Sequence, residues 1–500
     1  MIVSKTHHKL NIYYFNIQFM DKGDSTLLKK PKPIMDPVKK YRIYMAALSA
    51  NMAYFSLGTV VGWSSPTIPR LRDHTWDSPL EFPVSTAQEG WISSLVCFGS
   101  LMASPVAGPL AGRIGRKLTL LSSSIFFTAS YILLMVGGTI PAVYVARLFQ
   151  GLASGISATV MPMYIGEIAT DDCRGAVGSL MTLLMAAGIL YVYIIGPFVS
   201  YITLQWCCIV MPITFFATFI FMPESPYYYA IKGQTKKARN ALQFLRGQSA
   251  KAVEEELHEI QVSVDKDMSN TGTLLDIFQS RGYRKALLIC GGLLMFQQFS
   301  GTTAVLFNSQ SIFSAANSAL DPALATIIMG FVQLAGNLLT PFVVERTGRK
   351  MILLTSATGM CVALLGLGTF FYVQTFGDPS SILWIPIPAL LSFNAFYAFG
   401  FGPIPWAIVG EMFPSNIKPV ATSFVSVITS LVSFIVTRWY PELNALGSYY
   451  AFWFFGFCCI LAFLFTVLVV IETKGLSLET IQAKLHSRRR PVENSSGSNS

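Results

Sequence analysis

The chain has 500 residues, of which 52% are hydrophobic, 13% aromatic and only 12% charged, with a formal net charge of +10. Soluble domains carry about 25% charged residues, so this composition points to a lipid environment and away from a water-soluble enzyme. The positive balance also has a reading other than nucleic acid, because it follows the loops of a membrane chain.

A bilayer core about 30 Å thick needs about 20 helical residues per crossing. Twelve apolar runs of that size follow one another after a polar amino-terminal segment, 1–42. Six lie near 43–63, 90–112, 117–138, 141–165, 176–198 and 203–222. A charged insert, 223–284, comes next; its TKKARNALQFLRG and KAVEEELHEIQVSV stretches have the apolar spacing of amphipathic helices on a membrane surface. Six further runs lie near 285–314, 322–344, 351–373, 382–411, 419–437 and 447–471, before a polar tail, 472–500. The expected fold is an all-α membrane protein of twelve spans in two six-helix bundles, 43–222 and 285–471, joined by the helical insert.

Of the 36 Lys and Arg residues, Arg70, Arg72, Arg147 and Arg438 fall in or beside one set of loops. The remainder lie on the side of both termini and the insert, which the positive-inside rule makes cytoplasmic. No removable signal pattern opens the chain. The eight cysteines form no metal-ligand pattern with histidine, and no Walker loop or nucleophile–base pair is present. No metal, cofactor or catalytic residue is therefore expected, and the chain does not read as an enzyme.

The two halves repeat. GRIGRK (112–117) follows span two and ERTGRK (345–350) follows span eight. Gly166-Glu167 with Arg174 ends span four, and Gly410-Glu411 with Lys418 ends span ten; PESP (223–226) and ETKG (472–475) close the two copies. Duplicated six-span halves are a transporter signature, with a substrate site near the membrane midplane where the halves meet. GFGPIPW (400–406) interrupts span ten. Irregular backbone at membrane depth survives only when packed in protein or lining a wet cavity, so Gly400, Gly402, Pro403 and Pro405 are expected to form a gating hinge, with Trp406 as an aromatic lid.

These motifs, together with PMYIGEIATDDCRGA (162–176) and FQQFSG (296–301), resemble the sugar porters of the major facilitator superfamily over about residues 43–483, and within them the facilitated glucose and trehalose transporters of insects. The resemblance implies that Gln297 and Gln298 in span seven hold the sugar, and with them Trp406. It departs at Thr303 and Gln333, which stand where hexose carriers have Asn; at Thr182, in place of Gln; at Ala398, in place of Glu; and at Thr429-Ser430, in place of Asn-Trp. Phe307 and Asn308 stand where glucose carriers have a tyrosine pair at the outer gate. Span one carries Val60 where proton-coupled porters have Asp, and the acids in the spans are expected to be Glu167, Glu345 and Glu411, all at cytoplasmic ends. These features imply facilitated, uncoupled transport of a neutral sugar, trehalose or a hexose such as glucose. A proton-coupled symporter and a non-transporting sugar sensor are the alternatives. Arg113, Arg116 and Arg174 with Glu167, and Arg346, Arg349 and Lys418 with Glu345 and Glu411, are expected to latch the halves together on the cytoplasmic side. The expected partners are the sugar and the lipid bilayer, with no nucleic acid, and a monomer suffices for transport. The expected location is the plasma membrane, with both termini cytoplasmic.

Overall fold

A computed structural model describes residues 37–486 apart from 76, 171, 270–273, 318–319, 415–416 and 477. Residues from Lys39 onward cluster as one unit; of the segment before them, only Pro37 and Val38 are described.

The first half runs α1 (Pro37–Arg72), α2 (Thr86–Ile114), α3 (Arg116–Val136), α4 (Ile140–Ile168), α5 (Arg174–Ile195) and α6 (Tyr201–Phe219). The insert holds α7 (Pro226–Ile231), α8 (Thr235–Arg246), α9 (Glu254–Ser269) and α10 (Leu274–Gln279). The second half runs α11 (Arg281–Phe299), α12 (Thr302–Ala315), α13 (Pro322–Thr347), α14 (Arg349–Phe376), α15 (Pro386–Phe396), α16 (Ile404–Met412), α17 (Lys418–Leu446) and α18 (Ser448–Leu468), followed by α19 (Leu478–His486). Among the described residues, ten helices are long and apolar enough to cross a bilayer. The other two expected spans are helical but fall short of that test. Serines, glycines and Gln150 dilute α4, and span seven is two helices, α11 and α12, rather than one. The break is chemical: Gly301 takes φ +78°, and the Ser300 and Thr302 hydroxyls donate to the freed Gln297 carbonyl at 2.7 and 3.4 Å.

Two apolar cores form, one from residues between Leu57 and Ile209 and one from residues between Ile277 and Leu485. They meet along two seams, α2 against α17 and α5 against α13. Under the repeat of the halves, α2 corresponds to α13 and α5 to α17, so the two seams are related by exchanging the halves. A small separate core of Ala238, Leu242, Val253, Leu257 and Ile260 holds α8 to α9, as the amphipathic spacing predicts.

Two sequence expectations change at depth. Arg147, expected in or beside a loop, is fully buried inside α4. Glu89, outside the predicted acids, lies in the first turn of α2 at 7% exposure. A carboxylate there meets the positive end of the helix dipole, and it sits at the rim of the span rather than at mid-depth.

Candidate functional site

The break in span ten is real, but it precedes the prolines. Residues Tyr397–Phe401 form a π turn between α15 and α16, closed by the Gly402 N–H donating to the Tyr397 carbonyl at 2.7 Å. Pro403 caps α16 and Pro405 lies in its first turn, where a missing N–H costs nothing. The carbonyls loosened by the turn find side-chain partners. Gln297 Nε2 donates to Phe401 O at 2.5 Å and Gly402 O at 2.9 Å. Thr340 Oγ1 on α13 donates to Ala398 O at 3.1 Å, and Ser356 Oγ on α14 donates to Phe396 O at 2.6 Å.

The Phe401 and Gly402 carbonyls fix the orientation of the glutamine pair, since a carbonyl oxygen can only accept. Gln297 spends both amide hydrogens on them, and its Oε1 accepts from Gln298 Nε2 at 3.3 Å. Gln298 Oε1 then accepts from Thr303 Oγ1 at 2.8 Å. The thread crosses to α17 through Ser433 Oγ, 3.4 Å from Thr303 Oγ1, and to α2 through Cys97 Sγ, 3.1 Å from Ser433 Oγ. One polar chain thus links the hinge in one half to α2 in the other. Among the described residues, one amide hydrogen and one lone pair of Gln298 have no protein partner, and the residue is 9% exposed.

The other candidate residues are placed less uniformly. Gln333 on α13 is buried and its Oε1 has no partner. Thr182 on α5 and Thr429 on α17 donate to their own helices, to Ser179 O and Val425 O, and the α17 side chain bonded to Thr303, and through it to Gln298, is Ser433. Trp406, at 41% exposure, has no hydrogen bond to the network.

On the face opposite the insert, Phe307 and Asn308 are buried at 2% and 3% exposure. Asn308 leaves helical geometry at φ −118°, ψ 17°. The Arg147 guanidinium lies 5.8 Å from the Phe307 ring and 4.8 Å from the Trp63 ring. Tyr193 OH donates to Leu306 O at 2.7 Å, and the Gln310 N–H donates to Ser65 Oγ at 3.1 Å. These bonds join α1, α4 and α5 to α12 and shut that face. Arg147 has no carboxylate partner; it donates to Ile92 O, Ser64 Oγ and Gln150 Oε1 at 2.9, 2.6 and 2.7 Å. A buried charge of this kind is functional or structural glue, never filler.

On the insert face, two ion pairs among the described residues lie each within one half. Arg116 meets Glu167 at 2.8 Å and Arg349 meets Glu411 at 2.8 Å, while Lys418 Nζ donates to Gly410 O at 2.8 Å. Each glutamate keeps a second buried oxygen without a partner. Arg113 and Arg346 are exposed, and their carbonyls accept from Tyr228 and Lys474. Arg174 lies within electrostatic reach of Lys418, and the side chain of Glu345 falls outside the described residues.

Two acids with a role went unassigned in the sequence, although the repeat had marked them. The carboxylate of Glu224 accepts from the N–H groups of Arg116, Lys117 and Ser225 at 2.8–3.2 Å. Glu472 accepts in the same way from Arg349, Lys350, Thr473 and Lys474 at 2.9–3.0 Å. Each carboxylate thus caps the amino-terminal end of the helix after a GRK turn, α3 or α14, where free N–H groups and the dipole favour an anion. The glycines before these helices are required twice over. Gly115 and Gly348 take φ +105° and +92°, and a Cβ there would stand 2.2 and 2.8 Å from the glutamate oxygens. Burial pushes the Glu224 carboxyl up. At Glu472 the penalty of burial is outweighed by the four N–H donors, and the carboxyl is held below its ordinary value.

The comparisons with known proteins agree with this architecture. Residues 43–485 match the family model described as Sugar (and other) transporter. The chain is 33% identical to a facilitated trehalose transporter of Apis mellifera ligustica over 473 residues, 94% of this chain and 93% of the relative. It is 33% identical to a facilitated trehalose transporter of Polypedilum vanderplanki, over 92% and 91% of the two chains. The solved structure of the proton:xylose symporter XylE, of the major facilitator superfamily, superposes with a TM-score of 0.74 at 24% identity, over 89% of this chain and 100% of that one.

Proposed function

Since the chain belongs to the sugar transporter family and has the fold of the major facilitator superfamily, we propose that it carries a neutral sugar, trehalose or a hexose such as glucose, across a membrane by facilitated diffusion. The insect relatives at 33% identity that are named facilitated trehalose transporters make trehalose the first sugar to test. The observation that carries the reading is Gln298. Its free N–H and free lone pair stand at the meeting of the two halves, and that pairing suits two neighbouring hydroxyls of a sugar. Thr303 and Gln333 complete the polar wall; the unpartnered Gln333 Oε1 accepts a further hydroxyl. Thr182, Thr429 and Trp406 border the path, and Phe307 and Asn308 are its outer gate.

The mechanism is alternating access. With α1, α4 and α5 held to α12, the outer gate is closed and the sugar leaves on the insert side, which the basic residues make cytoplasmic. Uncoupled transport is supported by the neutral setting of the buried cation: among the described residues, Arg147 is held by neutral acceptors, the Val60 and Ile92 carbonyls, Ser64 Oγ and Gln150 Oε1. When the cavity opens outward, the free oxygens of Glu167 and Glu411 take partners from the opposite half and form the latch. The chain resides in the plasma membrane with both termini cytoplasmic, and one copy suffices. The test is uptake of radiolabelled trehalose and glucose into proteoliposomes containing the purified protein. Saturable uptake of either that stops at the external concentration is expected. No uptake of any carbohydrate refutes the proposal.

A further inference from the structure

Ser356 has no place in the sugar path, yet it occupies the mechanical centre of span ten. It lies on α14, fully buried, and its hydroxyl makes two bonds to one turn of backbone. It donates to the Phe396 carbonyl at 2.6 Å and accepts from the Phe401 N–H at 3.1 Å. Those two groups are the entrance and the exit of the π turn Tyr397–Phe401. A single hydroxyl therefore braces both ends of the irregular segment, and π turns of this sort recur where helices do work. The brace is close-fitting: a Cβ on Gly400 would stand 2.4 Å from the Ser356 Cβ. That contact explains a glycine in the turn that the prolines do not.

The other two supports of the turn differ in kind. Gln297 and Thr340 come from α11 and α13, which also serve the glutamine network and the seam with α5. By contrast α14 packs on elements of its own half, chiefly α18, α15 and the π turn. It is thus anchored within one half rather than across a seam.

We propose that Ser356 is the pivot of span ten: a positioning residue that never touches the sugar but keeps the π turn in register while α16 swings between its two positions. Without the hydroxyl, two buried backbone groups lose a partner. The chain relieves this by slipping toward α-helical register, which turns the α16 arm and withdraws Phe401 O and Gly402 O from Gln297. The inference rests on the transport reading above.

The experiment is influx of labelled trehalose, or of glucose if that is the sugar taken up, into proteoliposomes holding equal amounts of each variant. Ser356→Ala is expected to lower Vmax roughly tenfold, the effect of losing about two buried hydrogen bonds, with KM within about twofold of wild type. Ser356→Thr, which restores a hydroxyl, is expected to recover most of the rate. Gly400→Ala, which pushes on the same brace from the other side, is expected to behave like Ser356→Ala. If Ser356→Ala does not insert, Ser356→Cys takes its place, with an intermediate Vmax expected from its weaker donor. Wild-type Vmax in Ser356→Ala, or a raised KM at unchanged Vmax, overturns the pivot while leaving the transport reading intact. Absence of uptake by the wild type refutes the transport reading instead.

Discussion

The adjacent glutamines of α11 are expected to fail in different ways. Gln297 has both amide hydrogens on hinge carbonyls and its oxygen on Gln298. Gln298 has one hydrogen and one lone pair to offer. On the proposed reading, replacing Gln298 with Ala removes two hydrogen bonds to the sugar, each worth about 0.5–1.5 kcal/mol net. The sum, about 1–3 kcal/mol, raises KM between roughly fivefold and 150-fold. Replacing Gln297 with Ala instead leaves Phe401 O and Gly402 O without their side-chain donor inside the protein, and each such group costs about 1–3 kcal/mol. That burden falls on the hinge, so Vmax drops while KM moves less. Zero-trans influx of labelled sugar into proteoliposomes, normalised to incorporated protein, separates the two parameters. The assignment is wrong if Gln298→Ala leaves KM within twofold of wild type, or if Gln297→Ala moves KM as far as Gln298→Ala with Vmax unchanged.

Arg147→Lys is expected to destabilise the protein by about 2–4 kcal/mol. A lysine cannot fork to Ile92 O, Ser64 and Gln150 together, and an orphaned buried acceptor costs about 1–3 kcal/mol; thermal unfolding in detergent reads this as a clear fall in Tm. Gly348→Ala is expected to cost about 1–3 kcal/mol from its backbone alone, since positive φ with extended ψ is essentially reserved to glycine, plus the displaced Glu472 cap, seen in the same assay. The caps also predict opposite pH responses. Glu472, held low, contributes stability above the ordinary glutamate value of about 4.3 that is lost as pH falls through its folded pKa. Glu224, pushed up, contributes in the acidic range and loses that share as pH rises through its folded pKa. Between neutral pH and about pH 4, Glu472→Gln should therefore lose less Tm than wild type, and Glu224→Gln more. Imposing a proton gradient on the vesicles is expected to leave the final sugar level unchanged; accumulation above the external concentration would show coupling.

The spans, the repeated halves and the glutamine pair were legible because each leaves a strong signal: hydropathy, matched turns, adjacent amides in an apolar run. The interruption of span ten was legible as well, but its position was not. Prolines advertise a break, whereas the π turn, which ends at Phe401, two residues before Pro403, is braced by side chains on other helices. Ser356 and Thr340 are invisible for the same reason, since serine and threonine are ordinary in apolar helices and bond their own backbone by default. Arg147 misled because one arginine near a span end reads as a loop residue. Its burial depends on acceptors from α1 and α2 that only tertiary packing assembles. Ser433 supplants Thr429 because hydropathy fixes that α17 crosses the membrane but not how it is rotated. The Glu224 and Glu472 caps were half legible: the repeat pointed to them, but only the backbone geometry at Gly115 and Gly348 explains why an acid must follow a hundred residues later.

The proposed transport reading also accounts for sugar binding and gating sharing one group without a dedicated relay. Gln297 bonds the Phe401 and Gly402 carbonyls, and Gln298, one peptide away, is the side chain proposed to meet the sugar; the two are joined by a hydrogen bond at 3.3 Å. A sugar hydroxyl that engages Gln298 draws on the same amide that supports Gln297. Any rotation of Gln297 must then release Phe401 O or Gly402 O, and each release is about as costly as a sugar hydrogen bond is favourable. Two nearly balanced alternatives within one short chain of bonds are what a two-state carrier requires, because a ligand shifts an equilibrium only by its differential affinity for the two states. On the proposed reading, a charged side chain at this place would bind the sugar more strongly and tip the balance, whereas neutral amides would leave binding weak enough for release.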